Sequence, residues 1–333
     1  MTDSTIRRVT SADVAKLAGV SRATVSYVLN DTPHQTISAA TRGRVIDAAT
    51  SLGYAPSAAA RALRTGRSDV VLCLLPDWPI GPEVGTLLGN LSTELARSGM
   101  TFVAHPGSQA DRPIADLWKA ITPAAVLAFT DFSPAEIDAM RAAGVALVVG
   151  LLGRSTSPRR ELEVPQQRVG RLQAEHLVAA GHTTIGYAYP DDDRVRIFAE
   201  PRLEGTRLAC AARGVAEPSV RVVPLDAEAA APAVRAWHDE GVTAVCAYND
   251  DVAMAVLAGM RRLDLHAPAD LAVIGVDDIP AARLAVPALT TVTTDQAAVA
   301  AHLATTVLAA INGRPVPPSE LAGIVQVVQR ESA

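Results

Sequence analysis

Short apolar segments of five to eight residues recur along most of the chain and alternate with stretches of helical spacing. They are DVVLCLLP (69–76), MTFVAH (100–105), AAVLAF (124–129), VALVVG (145–150), TTIGYAY (183–189), SVRVV (219–223), TAVCAY (243–248) and LAVIGVDD (271–278). Strands this apolar, separated by helices, are typical of parallel sheets covered on both faces. The pattern predicts an α/β body after residue 68.

These runs fall into two sets, which predicts two lobes rather than one. The interruption lies near ELEVPQQ (161–167). The stretches of helical spacing are 84–98, 134–143, 167–180, 202–213, 227–240 and 250–263. A closed eight-stranded barrel stays open as the alternative, because its repeat is also a strand followed by a helix.

Residues 1–68 contain no strand-like run, and their pattern predicts a separate helical head. Helices are expected near 11–18, 21–29, 38–52 and 57–64, and RTGRS (64–68) has the composition of a linker. The head holds nine Lys/Arg and four Asp/Glu, a formal charge of +5, whereas the rest holds 21 and 31, a charge of −10. A basic head on an acidic body indicates a polyanionic partner for the head only.

Two amphipathic segments of the head meet at a glycine in DVAKLAGVSRATVSYVLN (13–30). Thr10 and Asp13 have the spacing of a capping box, and Ser21 can cap the second helix. Gly19 permits the left-handed backbone of a sharp turn. The unit therefore has the geometry of a helix-turn-helix.

Each of the two helices has one predicted apolar face, formed by Val14, Leu17 and Ala18 in the first and by Val25, Val28 and Leu29 in the second. The predicted outward residues of the second helix are Ser21, Arg22, Ala23, Ser26 and Tyr27. A helix-turn-helix presents side chains to the major groove at these positions. Taken alone, two amphipathic helices joined by glycine are more often part of an ordinary core.

The segment PSAAARALR (56–64) has helical propensity but is too short to be a stable helix without a partner. Leu63 lies beside Arg61 and Arg64, which fits an apolar wedge in a minor groove with arginines on the phosphates. The alternative is a linker whose Leu63 packs on the body.

Longer motifs resemble the LacI/GalR family of transcriptional regulators. They are VTSADVAKLAGVSRATVSYVLN, ISAATRGRVIDAATSLGYAPSAAARALRTGRS, GRLQAEHLVAAGHTTIGYAY, PRLEGTRLAC, AYNDDVAMAVLAGMRRL, VIGVDDIPAARLAVPALTTVTTD and QVVQRES. The resemblance covers almost the whole chain, and the motifs stand in the family's order.

The resemblance implies an all-α helix-turn-helix head and an α/β, two-lobed, periplasmic-binding-protein-like body. Its domains would be 1–56 for DNA binding, 57–68 for a hinge helix and linker, and 69–333 for effector binding and dimerisation. Lobe 1 would comprise 69–164 and 295–320, and lobe 2 would comprise 165–294 and 321–333. The implied function is that of a homodimeric repressor, which binds a palindromic double-stranded DNA operator and responds to a small polar metabolite such as a sugar or sugar derivative.

Carried over by position, the candidate operator contacts are Thr10, Ser21, Arg22, Ala23, Thr24, Ser26, Tyr27, Asn30, Ser57, Ala60 and Leu63. Arg22 suits a bidentate contact with guanine. Many members have arginine where this chain has Tyr27, which can donate to a phosphate or lie on a thymine methyl group. We therefore expect readout without a cation at Tyr27. Ser57 replaces the usual asparagine of the hinge, a mild change.

In the body, Arg202, Asn249 and Asp277 stand where the family contacts its ligand. A planar fork of donors facing oxygen acceptors suits a vicinal diol or a carboxylate. Each residue also has an ordinary interpretation: Arg202 as a surface ion-pair partner, Asn249 as a helix cap and Asp277 as a turn residue.

The first lobe departs from the family pattern in PDWPIGPEVG (76–85), where Glu83 stands in place of an aromatic residue. Trp78 and Tyr248 are candidates for the missing stacking surface. Gln166 and Gln167 replace the usual Asp-Asn pair. These changes argue against a common hexose and leave a modified sugar, another polar metabolite or no effector open.

Motifs also bear on two other classes of protein, enzymes and solute-binding receptors. Acidic runs at 191–193 and 277–278 could serve an enzyme, but no HExxH, GxSxG, P-loop or GxGxxG accompanies them. We expect no catalytic residue, no cofactor and no metal. A solute-binding receptor without operator specificity is the main alternative, although the missing signal peptide and the basic head argue against it.

The remaining features concern the compartment and the assembly. Cys73, Cys210 and Cys246 are too scattered for a disulfide framework or a metal site, and no run reaches about 18 apolar residues. We expect a cytoplasmic protein without a membrane partner. The resemblance implies a last helix near 295–312 and a final strand near 324–328. No coiled-coil segment follows that strand, so a dimer is favoured over a tetramer.

Overall fold

The computed structural model describes residues 9–29, 36–54, 68–107, 114–129, 132–150, 166–315 and 323–333. The chain divides into two compact units, Met1–Asp69 and Val70–Ala333. Each unit has a hydrophobic core of its own.

The described part of the N-terminal unit forms three helices: α1 (Ser11–Ala18), α2 (Arg22–Leu29) and α3 (Ala39–Ser51). The predicted capping box is present, with the Thr10 backbone N–H donating to Asp13 Oδ2 over 2.8 Å. Ser21 Oγ accepts from the Thr24 N–H over 3.0 Å, as predicted for a helix cap. Gly19 ends α1 with a φ of 66°. Local sequence therefore accounts for both caps and for the turn.

Aliphatic side chains fill the core of this unit, and Val14 and Val25 are its most deeply buried members on α1 and α2. The prediction that Leu17 belongs to the apolar face is wrong, because Leu17 is 57% exposed. Val14, Ala15 and Ala18 form the buried stripe of α1. Leu17 lies about a quarter-turn from the middle of that stripe.

The first sheet of the larger unit consists of β1 (Val70–Leu75), β2 (Thr101–Pro106), β3 (Ala125–Ala128) and β4 (Leu147–Gly150). Its helices are α4 (Pro82–Arg97), α5 (Ile114–Ile121) and α6 (Pro134–Ala142). The strand order is β2-β1-β3-β4, and every pair is parallel. Strand β3 is buried along its whole length, as expected of an inner parallel strand.

The second sheet consists of β5 (Ile185–Pro190), β6 (Ser219–Val223), β7 (Ala244–Ala247), β8 (Ala272–Val276), β9 (Thr290–Thr294) and β10 (Val325–Val328). Its helices are α7 (Gln166–Ala179), α8 (Arg196–Ala212), α9 (Ala227–Asp239) and α10 (Asp250–Arg262). The order is β10-β9-β8-β7-β5-β6, and only β10 runs antiparallel to its neighbour among these strands.

The two sheets share the end of the chain. The last helix, α11 (Gln296–Ile311), follows β9 but packs against α4 and β4 of the first sheet. Strand β10 then pairs with β9 in the second sheet. The described strands form two separate sheets, so the alternative of a closed eight-stranded barrel is wrong.

Three features of this unit differ from the sequence prediction. Helix α5 and strand β9 were not predicted, and α8 begins at Arg196 rather than at 202. Strand β9 reads TTVTT, which lacks the apolar run of its neighbours, but threonine is β-branched and fits a pleated strand. In α8, Pro201 suggests a helix start, yet the helix extends before it and buries Ala199.

Helices α7 and α8 approach each other closely at two glycines. A Cβ at Gly170 would overlap the carbonyl oxygen of Arg202, and a Cβ at Gly205 would overlap the carbonyl oxygen of Gln167. Glycine is therefore required at both positions for this approach. The contact fixes Arg202 beside the start of α7.

We expect Gly205→Ala to destabilise the larger unit by about 1–3 kcal/mol, because the added methyl group meets backbone that cannot move aside cheaply. Urea unfolding followed by circular dichroism measures this change. Gly43→Ala is the matched control in α3, since its added methyl group meets nothing within 4 Å. It should be neutral or stabilising by up to about 1 kcal/mol. Equal stability of Gly205→Ala and the wild type would contradict the close approach.

Candidate functional site

The helix-turn-helix presents a polar surface on one side of α2. The residues predicted to face outward are all exposed: Ser21, Arg22, Ala23, Ser26 and Tyr27. Tyr27 is 37% exposed. Val25 and Val28 on the opposite side of α2 are buried in the core. The helix is thus held by its apolar side, and its polar side is exposed.

Two other predicted operator contacts have local partners in the head. The Thr10 hydroxyl donates to Asp13 Oδ2 over 2.7 Å, and the Thr24 hydroxyl lies 2.9 Å from Ser21 Oγ. The remaining predicted DNA contacts lie outside the described residues; they are Asn30, Ser57, Ala60 and Leu63.

A cavity of about 620 Å³ lies between the two sheets of the larger unit, at the carboxyl ends of their strands. All the residues predicted for effector binding line it: Trp78, Glu83, Arg202, Tyr248, Asn249 and Asp277. Open α/β sheets bind ligands at this edge. The fold therefore brings together six side chains that are up to about two hundred positions apart in the chain.

Arg202 is the central cation of the cavity. It is 7% exposed, so its interpretation as a surface ion-pair partner is wrong. Its Nε donates to Gln166 Oε1 over 2.8 Å, and its Nη1 donates to the Tyr248 carbonyl oxygen over 2.7 Å. Its Nη2 lies 3.7 Å from Asp277 Oδ1, beyond the ordinary length of a hydrogen bond. Nη2 therefore keeps donor capacity for an acceptor in the cavity.

Aromatic side chains form one wall of the cavity. Trp78 is buried and meets Phe129 and Phe198 edge-on, with ring centroids 5.7 and 5.1 Å apart. The Arg202 guanidinium lies over the Tyr248 ring, 4.9 Å from its centroid. Trp78 and Tyr248 are thus fixed by neighbours, and one face of the tyrosine ring is already occupied by a cation.

A buried carboxylate holds the turn that carries Asp277. Asp250 accepts from the Ile279 N–H over 2.9 Å and from the Thr291 hydroxyl over 2.6 Å. Directly before Ile279, Asp277 and Asp278 have φ values of 106° and 52°, which non-glycine residues rarely adopt. The turn places Asp277 against the cavity, in accord with a strained residue at a functional site.

Asn249 combines the two interpretations that the sequence leaves open. Its Oδ1 accepts from the Val252 N–H over 3.0 Å and so caps α10. It also lines the cavity. Since the Oδ1 is used by the cap, the amide NH₂ is the part of Asn249 that can serve a ligand.

Glu83 lies in the first turn of α4, on the side of the cavity formed by the first sheet. Burial raises the pKa of Glu83 to about 7, and the nearby Asp277 adds to this increase, while Arg202 opposes it. Burial also raises the pKa of Asp277 and of Asp251. The cavity therefore holds carboxyl groups that lose their protons less readily than ordinary ones.

One hydrogen bond joins the two sides of the cavity at its edge. Arg194, which follows β5 of the second sheet, donates from Nη1 to the Asp77 carbonyl oxygen over 2.9 Å. The same guanidinium pairs with Asp192 over 2.7 Å. The predicted acidic run at 191–193 thus forms part of the cavity mouth, through Asp191 and Asp192.

Sequence reasoning missed two residues of the site, Phe198 and Asp251, which both line the cavity. Phe198 precedes Arg202 by one helical turn, so an earlier start of α8 would have revealed it. Asp251 follows directly after Asn249 and Asp250 in AYNDD, but sequence alone does not show which of three adjacent polar residues faces the cavity.

Two further properties concern metals and membranes. Within the ranges that the structure describes, no group of three His, Cys, Asp or Glu residues is placed to hold a metal ion. None of the helices in those ranges has the length and apolar character that crossing a bilayer requires.

Comparison with known proteins gives matches to both units. Residues 10–57 match the model for bacterial regulatory proteins of the lacI family, and residues 174–333 match a periplasmic binding protein-like domain. The transcriptional regulator GalR of Escherichia coli K12 is 30% identical over 319 residues, which are 92% of this chain and 91% of GalR. The regulator CelR of Thermobifida fusca is 30% identical over 349 residues, 98% of each chain.

Solved structures match over the same length. The complex of the transcriptional regulator CelR with cellobiose has a TM-score of 0.66 and 26% identity, and the match covers 98% of this chain and 100% of that one. A lac repressor dimer bound to operator and the anti-inducer ONPF has a TM-score of 0.77 and 24% identity, with 98% and 99% covered. The lac repressor match supports the fold described above.

We expect Glu83→Gln to raise stability at about pH 8 and to leave it unchanged near pH 5. The folded protein holds the Glu83 proton up to about pH 7, whereas the unfolded chain releases it near pH 4.5, so the stability that this group contributes is lost as pH rises through that window. The expected gain at pH 8 is about 1–3 kcal/mol, measured by urea unfolding.

Two comparisons make this test specific to Glu83. Asp250 also has a pKa raised to about 7 by burial, but it is present in both proteins, so its contribution cancels in the difference. Glu94→Gln, on the exposed side of α4 where Glu94 pairs with Arg97, should show no such pH dependence. A gain from Glu83→Gln that is equal at both pH values would contradict the assigned titration.

Proposed function

Because this chain belongs to the LacI family of bacterial transcriptional regulators, we propose that it is a homodimeric repressor that binds a palindromic DNA operator under the control of a small polar metabolite. The observation that supports this most directly is the pairing of two features in one chain. The head exposes a polar recognition surface on α2, and the body encloses a cavity lined by Arg202, Asn249 and Asp277. We propose that each head reads one half of the operator.

On the DNA side, Arg22 is the residue that we assign to base recognition. It is exposed in the first turn of α2, the part of a recognition helix that meets base edges. A guanidinium can donate two hydrogen bonds to guanine O6 and N7. Tyr27 lies more than one turn further along the same helix and offers a hydroxyl and a ring face without a charge.

On the metabolite side, the free donor of Arg202 and the amide of Asn249 supply donors, while Asp277 supplies acceptors. Such a set suits vicinal hydroxyl groups. CelR was solved with cellobiose, and the cavity of about 620 Å³ is large enough for a sugar of one or two rings. We propose a hydroxyl-rich effector in this cavity.

We propose that effector binding changes operator affinity by shifting the two lobes between an open and a closed arrangement. The Arg194–Asp77 hydrogen bond lies at the cavity edge and joins the lobes, so its formation depends on their separation. A coupling free energy of about 1–3 kcal/mol is typical of such systems. An effector must bind one arrangement better than the other to have this effect.

We assign no catalysis to the chain, because the relatives that match its whole length are regulators. We place the protein in the cytoplasm, where its DNA partner is. The three cysteines are free and buried, and burial raises the pKa of the Cys210 and Cys246 thiols, which suits unreactive core residues.

Selection of bound DNA from a random pool should yield a palindromic site, and gel shifts at physiological salt should confirm preference for it. We expect Arg22→Ala to weaken operator binding by about 1–3 kcal/mol and to relax selection at one base pair of each half-site. Arg22→Lys is the matched control for charge: it should lose the base preference but keep the salt dependence. Binding of metabolites without any DNA preference would instead identify a solute receptor.

We expect Tyr27→Arg to change base preference at the position that Tyr27 faces and to steepen the salt dependence of binding by about one phosphate contact. Tyr27→Phe tests the hydroxyl separately, since it removes the donor and keeps the ring. The measurements are binding selection and gel shifts over a series of salt concentrations. Unchanged preference and slope in Tyr27→Arg would show that this side chain points away from the DNA.

A further inference from the structure

The charges that line the cavity are strongly unbalanced. Five acidic residues line it, whereas Arg202 is its only lining cation among the described residues; the acids are Glu83, Asp191, Asp192, Asp251 and Asp277. Charges in a confined space repel one another more strongly than in open water. Burial raises the pKa of Glu83, Asp251 and Asp277, so a bound cation would favour their ionised forms, whereas a bound anion would oppose them.

Only part of this charge is neutralised within the protein. Asp192 pairs with Arg194 over 2.7 Å, and Asp277 lies 3.7 Å from Arg202. None of the ion pairs formed within the described ranges includes Glu83 or Asp251. These two carboxyl groups line the cavity without an ion-pair partner in those ranges.

Arg202 cannot serve these two groups as well. Two of its nitrogen atoms donate to Gln166 and to the Tyr248 carbonyl oxygen, and its guanidinium is fixed over the tyrosine ring. The third nitrogen is directed toward Asp277. Its side chain is 8% exposed and is held in place by these contacts.

Glu83 and the other carboxyl groups belong to opposite sides of the cavity. Glu83 is on α4, which covers the first sheet, whereas Asp251 is on α10 and Asp277 follows β8 of the second sheet. Glu83, Asp251 and Asp277 all line the same cavity. A cation between them would replace repulsion across the cavity by attraction from both sides.

We propose that the effector of this regulator is a hydroxyl-rich metabolite with a protonated amine, such as an amino sugar, and that its ammonium group binds between Glu83 and the Asp251–Asp277 side. This inference rests on the proposed function, because it assigns a chemical class to the same cavity. The hydroxyl groups accept from Arg202 Nη2, and the aromatic wall at Trp78 and Phe198 covers the apolar face of the ring.

An anionic effector and a neutral effector both fit this cavity less well than a cationic one. A phosphorylated or carboxylated sugar would add negative charge beside Glu83 and Asp251, which have no cation of their own among the described residues. A neutral sugar would exclude water from these carboxyl groups without replacing it by a counter-charge, at a cost in free energy. An ammonium group supplies both charge and three donors.

Calorimetric titration of the full chain at about pH 7 tests the inference with two matched pairs of sugars. The first pair is glucosamine and glucose, and the second is diglucosamine and cellobiose, so that each pair differs in amine against hydroxyl. We expect the amine of at least one pair to bind at least about tenfold more tightly than its neutral counterpart.

Variants then locate the preference. Glu83→Gln should reduce the preference for the amine by about tenfold or more, and Asp251→Asn should reduce it in the same direction. Glu94→Gln, elsewhere on α4 and paired with Arg97, should leave it unchanged. Circular dichroism and urea unfolding of each variant show that the body is folded.

Three results would overturn the inference: equal binding of amine and neutral sugar, an amine preference that survives Glu83→Gln, or no binding of either amine at about 10 mM. Operator selection without added sugar keeps this test separate from the proposed function. A palindromic preference together with any of the three results removes the amine assignment alone. Loss of DNA preference in the wild-type protein removes the regulator proposal itself.

Discussion

The cavity depends on one buried cation, Arg202. A charge withdrawn from water costs several kcal/mol unless partners replace its hydration. Its partners come from three separate parts of the chain: Gln166 begins α7, Tyr248 directly follows β7, and Asp277 directly follows β8. A single guanidinium therefore fixes a helix to the ends of two strands. The position of Arg202 depends in turn on the glycine contacts between α7 and α8, because a wider separation would move it away from Gln166.

Much of the fold could be predicted because its strongest signals are local. Each predicted apolar run coincides with a strand, since buried parallel strands must be apolar on both faces. The capping residues and Gly19 likewise fix the turn of the helix-turn-helix by local chemistry. Strand β9 could not be found in this way, because its buried threonines are satisfied by tertiary partners such as Asp250 and Ser332. The exposure of Leu17 could not be predicted either, because the packing of α1 against the other helices decides which of its flanks is buried.

The sequence predicts residues that line the candidate site, but it does not predict which of them contact one another. Residues at strand ends converge because parallel strands share an edge, and this brings Tyr248 and Asp277 together with Trp78. Which donor and acceptor atoms of these residues are already hydrogen-bonded depends on the distances between helices and strands. Sequence does not show that Trp78 meets Phe198 edge-on, nor that Arg202 donates to Gln166 while Glu83 has no ion-pair partner among the described residues. Those pairings decide what the cavity can bind.

The chain passes between the two sheets more than once, and this limits how recombination can exchange parts of the body. The chain enters the second sheet after β4, returns with α11 to pack on α4, and then adds β10 to β9. Neither lobe is therefore a continuous length of sequence. A single contiguous replacement that covered one whole lobe would also replace part of the other. The cavity takes side chains from both lobes, such as Glu83 and Asp277, so exchange of a shorter stretch would change only part of its lining.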